Sequence, residues 1–96
     1  MRYVTITTWE IADGNDYDVA MQNIREKRLP ALKELGASRV TVVRTSERTS
    51  AAISEWPDEA TRDAAEQAIE EVRRKVHSED FARMTGEMKG AVVAEV

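Results

Sequence analysis

Few side chains in this sequence can do chemistry, and they are scattered along its length. His77 is the single histidine. An imidazole has the side-chain pKa closest to neutrality, so His77 is the first candidate for a proton-transfer group. Its neighbours Arg73, Arg74, Lys75 and Glu79 near a helix carboxyl end favour instead a solvated cation on the helix dipole. Trp9 and Trp56 each lie near the end of an alternating stretch. An indole offers a broad face for stacking a planar ligand, with one N–H donor, but it fills subunit interfaces equally well. Tyr3, Thr7 and Ser54 fall on the same phase of alternation and join the tryptophans as candidate ligand-binding residues. Arg39 and Arg44 could grip a carboxylate or enolate oxygen, or could flank a sheet edge. Glu10 and Glu55 take the opposite phase and read as a solvated pair, and the Lys, Glu and Arg runs after Pro57 read as a solvated helix face.

Several chemistries are excluded by what the chain lacks. With no cysteine there is no disulfide framework, thiol nucleophile or thiolate metal site. One histidine and dispersed acids give no metal-ligand spacing, and no glycine-rich phosphate loop follows any apolar stretch. The expectation is a pocket with no cofactor and no metal. A formal net charge of −4, with basic residues dispersed among acidic ones, argues against a nucleic-acid backbone or an anionic membrane as partner. No apolar run is long enough for a membrane span, and the alternating amino terminus is unlike a signal peptide, so a soluble, cytoplasmic protein is expected.

The elements that must position these residues follow from periodicity. Residues 1–96 fit a single domain, one small enough that burial against a second copy would be a natural gain in stability. Tyr3 to Ile11 alternates with period two and reads as a strand. Asn15 or Asp16 can cap a helix whose apolar stripe runs from Tyr17 to Leu35, with Gly36 as its stop and a kink near Lys27 to Leu29 imposed by Pro30. Ala37 to Thr45 and Ser50 to Trp56 read as strands joined by a hairpin across Ser46 to Thr49. Pro57 opens a second long helix with a stripe from Ala65 to Val76, and Ser78 can cap a short turn holding Phe81 and Met84. Met88 to Val96 reads as the last strand.

The order strand, helix, strand, strand, helix, strand predicts an α+β, ferredoxin-like βαββαβ fold, a four-stranded antiparallel sheet with two helices on one face. The first and third strands are expected to run parallel at its centre. Val4, Ile6, Val40, Val42, Ala51 and Ile53 are expected to face the helices. Tyr3, Thr5, Thr7, Trp9, Thr41, Val43, Ser54, Trp56, Val92 and Ala94 then face away, with the two indoles in contact or separated by one ligand. A face so apolar suits a cavity wall or an interface.

The element order, Leu29-Pro30-Ala31-Leu32 before Gly36, the Trp56-Pro57 step and the Ser78-to-Phe81 turn together resemble the dimeric α+β barrel superfamily, which includes small antibiotic-biosynthesis-type monooxygenases and stress-response proteins. The resemblance implies a homodimer whose two sheets close into a barrel, with a ligand pocket between each sheet and its own helices or in the barrel interior. In haem-degrading relatives a histidine, an asparagine and a tryptophan form the site, and the first strand here has no asparagine to match. The expected function is small-molecule binding by a homodimer of unspecified activity. The alternative is a cofactor-independent monooxygenase or isomerase acting on a small aromatic or quinone-like substrate, with His77 as base.

Overall fold

The protein is described by a computed structural model covering residues 2–12, 14, 16–78 and 82–96, with the side chains of residues 76–78 outside that description. Its strands are β1 (Tyr3–Ile11), β2 (Arg39–Arg44), β3 (Thr49–Trp56) and β4 (Ala82–Ala91). They form one antiparallel sheet in the order β2-β3-β1-β4. Helices α1 (Tyr17–Asn23) and α2 (Leu29–Glu34), joined by a π-helical turn at Ile24–Arg28, connect β1 to β2. Helices α3 (Glu59–Ala64) and α4 (Glu66–Ser78) connect β3 to β4. All pack on one face of the sheet, as the ferredoxin-like expectation requires.

Two expectations about the sheet are overturned. β1 and β3 are antiparallel neighbours, with Tyr3 opposite Trp56 and Trp9 opposite Ser50. A helical crossover returns the chain parallel to its starting strand, so β2 runs parallel to β1, and the hairpin then reverses β3. The tryptophans consequently stand at opposite ends of the central pair, six residues apart in register and thus roughly 20 Å along the strand. Coupled indoles are not part of this fold.

The facing of β1 and β3 is also inverted. Tyr3, Thr5, Thr7, Trp9 and Ile11 are buried beneath the helices with Ser50, Ala52, Ser54 and Trp56, whereas Val4, Ile6, Ala51 and Ile53 turn outward. Val40 and Val42 do face inward, opposite Ser54 and Ala52, and Thr41 and Val43 face outward opposite Ile53 and Ala51. Hydrophobicity alone favours Val4 and Ile6 for the inside. The larger side chains Tyr3, Trp9 and Trp56 decide otherwise, because they carry most of the area that helix packing removes from water.

Local signals account for the helices. Asp16 caps α1, its carboxylate accepting from the amides of Asp18 at 2.8 Å and Val19 at 3.4 Å. Ala20, Ile24, Arg28 and Leu32 are the buried positions of the first helical connection, one every four residues. On an α-helix such a row drifts by about 40° per step, since four residues turn through roughly 400°. The wider π turn removes that drift and keeps the row on the sheet, and the amide of Leu29 bonds the Ile24 carbonyl five residues back. Pro30, which has no amide to offer, follows directly. Gly36 ends the connection at φ +113°.

In the second connection the cap is Asp58, so Pro57 lies outside the helix rather than in its first turn. The Asp58 carboxylate accepts from both the amide and the hydroxyl of Thr61, each at 2.7 Å. Beyond α4, Met84 belongs to β4 and not to an extra turn, and β4 starts earlier than expected, at Ala82. Phe81 and Glu79 lie outside the described residues.

Candidate functional site

The helix-covered face of the sheet is not an ordinary core. Apolar residues gather at its two ends, Tyr3, Leu32, Ala37, Trp56, Ala65 and Ile69 at one and Trp9, Ile11, Ala20, Ala52 and Ala82 at the other. Between them lies a polar middle made of Thr5, Thr7 and Ser54 from the sheet and three arginines from the helices. Arg28 is 6% exposed, Arg62 0% and Arg73 8%, although arginine is among the residues least often buried. Together with Leu32, Trp56, Ile69 and Val72 these six residues enclose a cavity of about 20 Å³. That is room for about one water molecule.

Each arginine is held in a different way. The Arg28 guanidinium stacks on Trp9, 3.9 Å from the ring centroid, and has no carboxylate partner among the described residues. Desolvation by burial, with the charge of Arg73 second, lowers its pKa from the ordinary arginine value to about 10. Arg62 sits 5.9 Å from the Trp56 centroid, donates through Nη1 to Glu66 and has Glu87 at 3.9 Å from Nη2. Arg73 donates to Glu87 through Nη2 and to Glu70 through Nη1 at 3.2 Å. The hydrogen bond from Arg62 is the main cause that holds the Glu66 carboxyl below its ordinary range. Three buried N–H groups, Arg62 Nε, Arg62 Nη2 and Arg73 Nε, have no hydrogen-bond partner among the described residues.

The tryptophans orient the hydroxyls. Trp9 Nε1 donates to Thr7 Oγ1 at 2.8 Å and Trp56 Nε1 donates to Thr5 Oγ1 at 3.4 Å, so each indole occupies an acceptor lone pair of the threonine lining the cavity.

The expected site residues divide accordingly. Thr7, Ser54 and Trp56 line the cavity. Trp9 reaches it through Thr7 and Arg28. Tyr3 is buried beside Trp56 in the apolar end cluster, away from the cavity wall. Arg39 is not brought to the site. It lies on the outer face of the sheet, 75% exposed and 4.0 Å from Glu55. Arg44 stacks on Tyr17 at 3.9 Å and donates to the carbonyls of Ser46 and Glu47, which closes the hairpin. Glu10 and Glu55 lie on the outer face, pairing with Arg83 at 2.8 Å and with Arg2 at 3.2 Å. The backbone of His77 belongs to α4, and its side chain lies outside the described residues.

The reading of the basic runs after Pro57 as wholly solvated is overturned, since Arg62 and Arg73 are interior. One signal in the sequence marks them. Arg62, Ala65, Ile69 and Arg73 continue the buried stripe at spacings of three and four, as Arg28 continues Ala20 and Ile24. Among the described residues no group of three acidic or histidine side chains is placed to hold a metal ion, and no helix is long and apolar enough to cross a membrane.

No protein-family profile matches the chain, and no curated protein matches it in sequence. Solved structures do. A dimeric ferredoxin-like protein from an uncultured marine organism superposes with TM-score 0.67 at 18% identity, over 99% of this chain and 98% of its own. SnoaB, a cofactor-independent oxygenase from Streptomyces nogalater, superposes with TM-score 0.73 at 11% identity, over 100% and 98%. A putative antibiotic biosynthesis monooxygenase from Chloroflexus aurantiacus gives 0.65 at 12%, over 100% and 97%. At such identities the likeness is one of fold, and it extends over essentially the whole chain. The chain therefore has the ferredoxin-like α+β architecture shared by dimeric ferredoxin-like proteins and antibiotic-biosynthesis-monooxygenase-like proteins.

Proposed function

We propose that this protein is a homodimer that binds a small molecule between its sheet and its helices. The observation that carries the binding reading is the cavity itself. Unpartnered buried polar groups cost about 1–3 kcal/mol each, so interiors rarely keep three around a void unless something bonds them. Bound ligand would satisfy them. Native mass spectrometry of the freshly purified protein tests this, with a mass increment lost under denaturing conditions as the expected result; a bare polypeptide mass would count against it.

Dimerisation is supported by the outer face of the sheet. Val4, Ile6, Ala51, Ile53, Thr41 and Val43 lie there together, with Met88 opposite Ile6, and Val43 is 44% and Met88 65% exposed. A contiguous apolar sheet face is costly to leave in water, and a second copy can cover it. The solved neighbours described as dimeric lend the same support. The same native spectra report subunit number, so one preparation tests both parts separately.

A further inference from the structure

Resting on the binding reading above, we infer that the ligand of this cavity is a planar oxyanion of the carboxylate type, held by Arg28, Arg62 and Arg73 with the hydroxyls of Thr5, Thr7 and Ser54. The wall is donor-rich. Arginine has donors only, and its planar fork fits two oxygens of one group. Because the indoles of Trp56 and Trp9 already donate to Thr5 and Thr7, the two threonine hydroxyl protons remain to donate inward. Neither proton has an acceptor among the described residues, and the Ser54 hydroxyl has no hydrogen-bond partner among them.

Charge points the same way. The carboxylates of Glu66, Glu70 and Glu87 already meet Arg62 and Arg73, and none of them meets Arg28. A monoanion seated in the cavity would give Arg28 its counter-charge and bond the orphaned N–H groups of its two neighbours. A neutral acceptor would satisfy the hydrogen bonds and leave the charge of Arg28 uncompensated. The void of about 20 Å³ holds about one water, so a carboxylate head group and any body attached to it enter only as the apolar wall at Leu32, Ile69 or Val72 moves outward.

Acetate is the probe, with nitrate as an inorganic planar oxyanion and acetamide as the neutral isostere, each at constant ionic strength. Tryptophan fluorescence reads occupancy, since both indoles contact the wall. Acetate is expected to change the emission saturably and acetamide not. Ser54→Ala, which removes one donor with little change of volume, is expected to raise the acetate dissociation constant about ten-fold. A response to nitrate as well identifies the oxyanion group itself as the recognised element, whereas a response to acetate alone assigns the site to organic carboxylates. Equal responses to acetate and acetamide, or an unchanged constant in Ser54→Ala, would overturn the anion while leaving a small-molecule pocket in place. Absence of any response overturns it too, and the native mass then tells whether the pocket reading fails with it.

Discussion

Arg28 carries the least compensated charge in the described interior, and its energetics set a testable sign. Its pKa is lower folded than unfolded, so above about pH 10 the folded protein holds fewer protons than the unfolded chain. The charge therefore opposes folding at every pH below that value, and the penalty fades only as pH rises through about 10. Replacing Arg28 by Met, which keeps the aliphatic stem against Trp9, is expected to stabilise the protein at neutral pH by about 1–3 kcal/mol in denaturant titration. The same variant should lose the acetate response. A less stable Arg28→Met would mean that stacking on Trp9 outweighs desolvation. Two carboxyls carry the opposite linkage. Asp58, bonded by the amide and then the hydroxyl of Thr61, and Glu66, bonded by Arg62, both have folded pKa values below their unfolded ones. Their contributions are complete above the ordinary carboxylate range and are lost as pH falls through the depressed folded values. Asp58→Asn should flatten the acid limb of the thermal midpoint against pH, measured between about pH 5 and 2.

At the scale of elements, the first helical connection is shaped by where Arg28 has to point. A buried row at four-residue spacing drifts steadily around an unbroken α-helix, and the π turn at Ile24–Arg28 offsets that drift over the three steps from Ala20 to Leu32. Pro30 in the sequence forecasts a break near that place, although the character of the break depends on the sheet that the row must meet. Gly36 closes the same connection. A methyl there would sit 3.0 Å from Thr61 Cγ2, on a backbone at φ +113° that side chains avoid. Gly36→Ala is expected to cost about 1–2 kcal/mol, read from the denaturant midpoint. An unchanged midpoint would show that the turn can adopt another conformation without disturbing α3.

Taken whole, the molecule has two sheet faces with contrasting demands. The helix-covered face is polar at its centre because three guanidinium groups need hydroxyls and carboxylates around them, and the uncovered face is the more uniformly aliphatic one. If the uncovered face meets a second copy, an aspartate at Val43 would be desolvated there without a partner. Val43→Asp should raise the dimer dissociation constant by about 100-fold or more, seen by analytical ultracentrifugation, with the acetate response of the pocket retained. An unaffected dimer would move the interface to another surface.

Sequence alone determined the element order, the break before Pro30, the hairpin and a cap at Asn15 or Asp16, because each is written in neighbouring residues, and the structure chose Asp16. It also determined the fold class, since right-handed crossovers leave few ways to arrange two βα units. Tertiary structure decided the rest. Alternation in β1 states that Val4 and Ile6 oppose Thr5 and Thr7 but not which set lies inside, and that choice depended on Tyr3, Trp9 and Trp56 together with arginines that the helices bring over the sheet, Arg28 onto Trp9 and Arg62 beside Trp56. The cavity was illegible for the same reason. Spacing puts Arg28, Arg62 and Arg73 in line with the buried stripes, but nothing in it says that Thr5, Thr7 and Ser54 lie beneath them, and only that juxtaposition makes a donor-lined interior site.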